Sequence, residues 1–150
     1  MKLNHRGFEA SDIEKITGIN RPRLQQWLEK GFIAPSIQIA SGPGTRNVYS
    51  IDNVYQIAAI KKMIEFGFSR EKAAQIVNGR VVNMDGPHII FMVHNFEGAG
   101  TIISKSAKDD NDLQGFFNAI KEMVMSKGGA YILNYTKLME EIDQTIKKIS

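Results

Sequence analysis

The 150-residue chain contains no cysteine. That absence excludes disulfides, iron–sulfur clusters, thiolate zinc sites and thiol redox sensing. Long apolar runs are missing too: no stretch approaches the roughly 18 residues that a membrane-spanning helix needs. The opening MKLNHRGFEA has no apolar core of signal-peptide length. A cytoplasmic protein with no membrane partner is therefore expected. No internal repeat is evident. Gly-x-Ser-x-Gly, P-loop and His-Glu-x-x-His sequences are absent, and Gly98-Ala-Gly100 lacks the strand–loop–helix setting of a nucleotide site. Neither enzyme activity nor a cofactor is expected.

Metal binding finds little support. His88 and His94 lie six residues apart in one apolar run, which on an extended strand separates them by roughly 20 Å, too far to share an ion. Asp109, Asp110 and Asp112 lack a glutamate at the end of a twelve-residue loop, so a helix cap suits them better than calcium. Met84, Met92, Met123, Met125 and Met139 are read as core filler.

What the chain does have is an uneven charge. Residues 1–80 hold 12 Lys/Arg against 7 Asp/Glu, and residues 81–150 hold 7 against 9, within a net charge of +3. A basic half suits a phosphate-binding module, although an asymmetry of this size is common.

That basic half contains SDIEKITGINRPRLQQWLEKGFIAPSIQIASGPGTRNVYS, residues 11–50. Ser11 and Glu14 fit a capping box at a helix start, and Ile13 and Ile16 share one helical face. Gly18 suits a helix end, because glycine enters the left-handed region without steric cost. Asn20 can cap a second helix with Pro22 in its first turn. Leu24, Trp27 and Leu28 give that helix a buried face. Gly31 ends it. Arg21, Arg23, Gln25 and Gln26 then lie near its start and off the apolar face. Guanidinium and amide groups are those that reach phosphates and base edges in a major groove. Ile37–Ile39 and Asn47–Tyr49 can form two strands joined by the Ser41-Gly-Pro-Gly44 turn, with Thr45 and Arg46 at the tip.

The run TGINRPRLQQWLEKGFIAPS (17–36), the Arg46-x-x-Tyr49-Ser50 element and FGFSREKAAQIV (66–77) together resemble the winged helix-turn-helix domain of MerR-type transcription regulators. The resemblance covers roughly residues 8–78. Many members have an Arg-Tyr pair where this chain has Gln25-Gln26, an arginine where it has Pro22, and a tyrosine where it has Trp27. The residues expected to bind DNA are Asn20, Arg21, Arg23, Gln25, Gln26, Thr45, Arg46 and Tyr49. The resemblance also implies a helix pair completing the domain. Here that pair would begin at Ser50, with Val54, Ile57, Ile60 and Ile64 buried, and continue over 70–77 after Gly67 and Ser69. Lys61 and Lys62 are read as solubility charges.

Beyond Asn78-Gly79-Arg80 the chain departs from the family, whose members continue into a long coiled-coil helix. Val81–Gly86 reads as irregular and Gly86-Pro87 as a turn. Strands are expected at His88–His94 and Thr101–Ile103, joined through Glu97–Gly100. An amphipathic helix carrying Leu113, Phe116, Phe117, Ile120, Met123 and Val124 should follow, ending near Gly128-Gly129. A strand at Ala130–Leu133 and a helix over 136–149 complete the chain. The expected fold class is thus α+β. A mainly helical winged helix-turn-helix occupies 1–80, and a small β-β-α-β-α effector or dimerisation module occupies 81–150. Leu138, Ile142, Ile146 and Ile149 form a stripe on the last helix that serves either as a dimer seam or as cover for the small sheet.

The function expected is that of a bacterial-type, homodimeric, sequence-specific regulator of transcription on an inverted repeat of double-stranded DNA. The resemblance adds an effector at the C-terminal module, a small molecule or a protein, with no effector at all as the third alternative. Two alternatives stand beside this reading: a phage-type DNA architectural or excision accessory protein, and a winged-helix adaptor that binds protein. Salt-sensitive affinity for duplex DNA separates the adaptor from the other two.

Overall fold

The computed structural model describes residues 6–80, 88–94, 101–107, 110–127 and 131–150. The expected lead-in before Arg6, the irregular stretch with its Gly86-Pro87 turn, the Glu97–Gly100 loop, Asp109 and the Gly128-Gly129 stop lie outside those residues. The chain divides into two compact units. One comprises Met1–Gly79 with Glu140–Ser150, and the other Arg80–Met139.

The first unit opens with Phe8, which is fully buried and pairs with Tyr49 through two backbone hydrogen bonds of 2.9 and 2.8 Å. Helix α1 (Ala10–Thr17) starts one residue before Ser11 and is capped by Glu9, not Ser11. The physical reason is a box set two residues earlier, in which Asp12 Oδ2 accepts the Glu9 N–H at 2.9 Å. Ile13 and Ile16 are buried as expected. Gly18 ends the helix with φ 73°, and its N–H donates to Glu14 O. Helix α2 (Arg21–Glu29) buries Leu24 and Trp27, while Leu28 is only half-buried.

Helix α3 (Ile51–Glu65) is capped by Ser50, whose Oγ accepts from Asn53 N. It buries Val54, Ile57 and Ile60, and Met63 takes the place expected for Ile64. Ala58 and Ala59 are buried as well, so α3 is a central helix, not one with a single stripe. Helix α4 (Arg70–Arg80) buries Ala73, Ala74, Ile76 and Val77 and runs three residues past its expected end. Asn78 Nδ2 donates to Phe32 O at 2.7 Å, tying α4 to the exit of α2.

The stretch between α2 and α3 departs from the expected hairpin. It has no ladder, only a single bridge between Gln38 and Val48. Side chains replace the missing rungs. Gln38 Nε2 donates to Arg46 O at 3.0 Å, and Asn47 Oδ1 accepts from Ala40 N at 2.8 Å. Gly7 sits so close to this wing that a Cβ there would lie 2.5 Å from Val48 Cγ1.

The second unit holds a three-stranded antiparallel sheet of order β2-β1-β3. Strand β1 (His88–His94) is central, β2 (Thr101–Ala107) pairs His88 with Ala107, and β3 (Tyr131–Asn134) pairs Ile90 with Asn134. The apolar run of β1 suits a strand with neighbours on both sides, and Ser104, Lys105 and Ser106 suit the edge strand β2. Helix α5 (Asp110–Lys127) lies against β1 and β2. It buries Phe116 and leaves Phe117 exposed. Met125 is 80% exposed, so it is not the core filler expected of it.

Helix α6 (Tyr135–Ile149) contributes its first residues to the second unit and the rest to the first. Its stripe is used inside the chain: Leu138, Ile142 and Ile146 are 6, 7 and 0% exposed, and only Ile149 of the four remains at the surface. Three of the four are thus covered within the single chain, and Ile149 is open. Within the first unit the Tyr55 hydroxyl donates to Asp143 Oδ1, and Arg6 Nη1 donates to Ser150 Oγ. Among the described residues no helix is long and apolar enough to cross a membrane.

Candidate nucleic-acid interface

The site rests on the turn between α1 and α2. Gly18 supplies the left-handed residue, Ile19 is 1% exposed and anchors the turn, and Asn20 Oδ1 accepts the Arg23 N–H at 2.9 Å. Thr17 Oγ1 donates to Ile13 O and accepts from Ile19 N, and Lys61 Nζ donates to Thr17 O at 2.7 Å. Lys61 is thus a cation at the C-terminal end of α1, where the helix dipole favours positive charge. Nothing local in the sequence marks this role, because 44 residues separate the partners.

With the turn fixed, α2 presents Arg21, Arg23, Gln25 and Gln26 to solvent while Leu24 and Trp27 are held below. Pro22 occupies the first turn, where its missing N–H disrupts nothing. Asn20 is committed to its cap, so its side chain orders the helix start. Gln25 Nε2 donates to Glu29 Oε1 at 2.9 Å along the same face.

A cleft of about 790 Å³ separates the first turns of α1 and α2 from the wing. Arg21, Gln25, Thr45, Arg46 and Tyr49 of the expected set line it, whereas Asn20, Arg23 and Gln26 do not. The two arginines bracket the cleft, and both hold carboxylates of the α1 region. Arg46 Nη1 meets Glu9 Oε2 at 2.7 Å, and Arg21 Nε meets Glu14 Oε2 at 3.6 Å. Both pairs are open to solvent, with arginine side chains 64% (Arg21) and 74% (Arg46) exposed. Exposed pairs of this kind are worth about 0.2–1 kcal/mol, so a phosphate can replace the carboxylate.

Two residues of the expected set have other work. Thr45 Oγ1 accepts from Ser41 N and Gly42 N and donates to Gly42 O, so its hydroxyl closes the wing tip. Tyr49 is 2% exposed, and burial pushes its phenol pKa above the usual value. It forms a wall of the cleft and does not project from it.

Asn53 is the residue the sequence reading missed. It is 5% exposed and sits where the exit of α2, the base of the wing and the start of α3 converge. Its Oδ1 accepts from Ser36 N, Ser36 Oγ and Ser50 N, and its Nδ2 donates to Ala34 O and Gln56 Oε1. The spacing Ser50-x-x-Asn53 was the available signal, since it forms a capping box. Glu9 and Glu14 were missed as partners because nothing local couples them to Arg46 and Arg21.

Comparison with known proteins agrees with this geometry. The model of the MerR HTH family regulatory proteins matches residues 8–80. An uncharacterized HTH-type transcriptional regulator of Mycobacterium bovis is 27% identical over 63 residues, which is 42% of this chain and 28% of that protein. A Mycobacterium tuberculosis protein of the same description matches equally. The HTH-type transcriptional regulator CueR of Escherichia coli is 25% identical over 71 residues, covering 47% of this chain and 50% of CueR. The chain thus spans half or less of the length of these curated relatives. Residues 8–80, just under half of the chain, thus match the helix-turn-helix domain of the MerR family of regulatory proteins.

Proposed function

We propose that the chain is a DNA-binding transcription regulator that reads a specific duplex as a homodimer. Helix α2 enters the major groove, and the wing lies on the neighbouring backbone. Arg21, Arg23 and Arg46 meet phosphates or guanine edges, and Gln25 and Gln26 reach base edges. The observation that carries this reading is the cleft itself, which brings exposed arginines from the start of α2 and from the wing to facing sides. The family's regulators and the relatives named above support it.

The finer reading goes with it. Residues 1–80 act as the DNA-binding domain, and 81–150, a β-β-α-β-α module in an α+β chain, serves dimerisation or takes an effector. Two subunits then read an inverted repeat, in the cytoplasm and without enzymatic chemistry.

The test is selection of bound duplexes from a random pool at physiological salt. An enriched inverted repeat is expected, and its half-site spacing gives the separation of the two α2 helices. Enrichment of an asymmetric motif would favour an accessory protein acting as a monomer. No enrichment would overturn the reading. On the enriched duplex, Arg46→Ala should weaken binding and make the salt dependence shallower, by up to about 0.9 in the log–log slope. An unchanged slope would remove Arg46 from the interface.

A further inference from the structure

We infer that Glu9 and Glu14 set the affinity of this interface, by holding in the unbound protein the two arginines that a phosphate must take. The inference rests on the DNA-binding reading and adds to it residues that act through other residues.

The geometry is specific. Glu9 sits at the N-cap of α1 and reaches across the cleft mouth to Arg46 of the wing, 37 residues away, at 2.7 Å. Glu14 lies one and a half turns along α1 and holds Arg21 at the start of α2 at 3.6 Å. Each bridge joins a different pair of elements, so the two carboxylates together neutralise both flanks of one cleft. Glu9, Arg21 and Arg46 are all wall residues of that cleft.

A duplex entering the cleft brings a phosphate toward a guanidinium that already has an anionic partner. Arginine binds carboxylate and phosphate through the same fork of N–H donors, so the two anions compete for one site. The displaced carboxylate then stays near the phosphate and repels it. Both effects lower affinity. They also lower salt dependence, because an arginine already paired with a carboxylate brings less net charge to the counterions released from DNA. The carboxylates thus temper an interface whose non-specific binding is almost wholly electrostatic.

Glu9→Gln and Glu14→Gln remove the charge and keep the shape of the side chain. Glu14 lies within α1 and away from its cap, so its variant guards against a folding effect at Glu9. The probe is a fluorescently labelled duplex of mixed sequence, several helical turns long, titrated at a series of salt concentrations with the full chain. Each substitution should tighten binding by about 2- to 5-fold, the range expected of an exposed ion pair. Each should also steepen the log–log salt slope by up to about 0.9. The decisive arm repeats Glu9→Gln in an Arg46→Ala background and Glu14→Gln in an Arg21→Ala background. If each carboxylate acts mainly through its arginine, the gain shrinks there to the part that repulsion alone supplies. A full gain in the arginine-less background would show through-space repulsion alone and overturn the inference. So would an absent gain in a background that retains the arginines, with thermal stability unchanged. If the unaltered chain shows no salt-sensitive binding, the DNA-binding reading itself falls and this inference falls with it. A binding chain with indifferent glutamates overturns the inference alone.

Discussion

Among the described residues, the two units show different kinds of support. In the first, side chains fix the backbone: Asn20 caps α2, Asn53 gathers three segments, Thr45 closes the wing and Lys61 meets the end of α1. In the second, the described order is a backbone ladder in which β1 pairs on both sides. Its surface keeps apolar side chains, including Phe117, Met125 and Ile132, that the first unit mostly buries. The difference matters for function. A site that must meet a nucleic acid at hydrogen-bond distance needs side chains whose supports are locked. The first unit supplies those supports around the cleft.

If that contrast holds, substitutions should separate the units by size of effect. The largest is expected at Trp27, the single tryptophan of the chain, 1% exposed beneath α2. Trp27→Ala should cost the first unit about 3–5 kcal/mol, measured by far-ultraviolet circular dichroism during denaturant unfolding. Among the described residues its buried Nε1 meets no hydrogen-bond partner, so the loss is one of packing. A small loss would mean that α2 is held by something other than this core.

Next comes Asn53→Ala. It leaves Ser36 N, Ser50 N and Ala34 O without their partner and should cost about 2–3 kcal/mol. It should also weaken duplex binding, since the base of the wing and the exit of α2 share this residue. Loss of stability with full affinity would uncouple Asn53 from the interface. The smallest effect is expected at Met125, 80% exposed on α5. Met125→Ser should change thermal stability by no more than about 0.5 kcal/mol. A larger loss at high protein concentration that fades on dilution would place α5 in a contact between chains and so sharpen the picture of the second unit.

Local signals in the sequence were readable where local physics decides. Gly18 as a left-handed stop, Asn20 as a cap, Ser50 as a helix start, and the Leu24/Trp27 face each depend on neighbours within one or two turns. The readings that changed depend on partners far along the chain. Tyr49 is buried because Phe8 pairs with it across 41 residues. Arg21 and Arg46 were legible as cations, but their carboxylate partners on α1 were not. Ser11 lost the cap to Glu9 because two boxes overlapped and the pattern alone could not rank them. The stripe on α6 was correctly seen as apolar, yet a stripe does not say which surface covers it.

The central claim is that the α2 face and the wing bind duplex DNA through their arginines. Its most direct test is the salt dependence of duplex affinity for the full chain and for an Arg21→Ala/Arg46→Ala variant. The logarithm of the affinity should fall linearly with the logarithm of salt. The double variant should bind more weakly, with a slope shallower by up to about 1.8. Duplex affinity indifferent to salt, or identical in the two proteins, would contradict the claim.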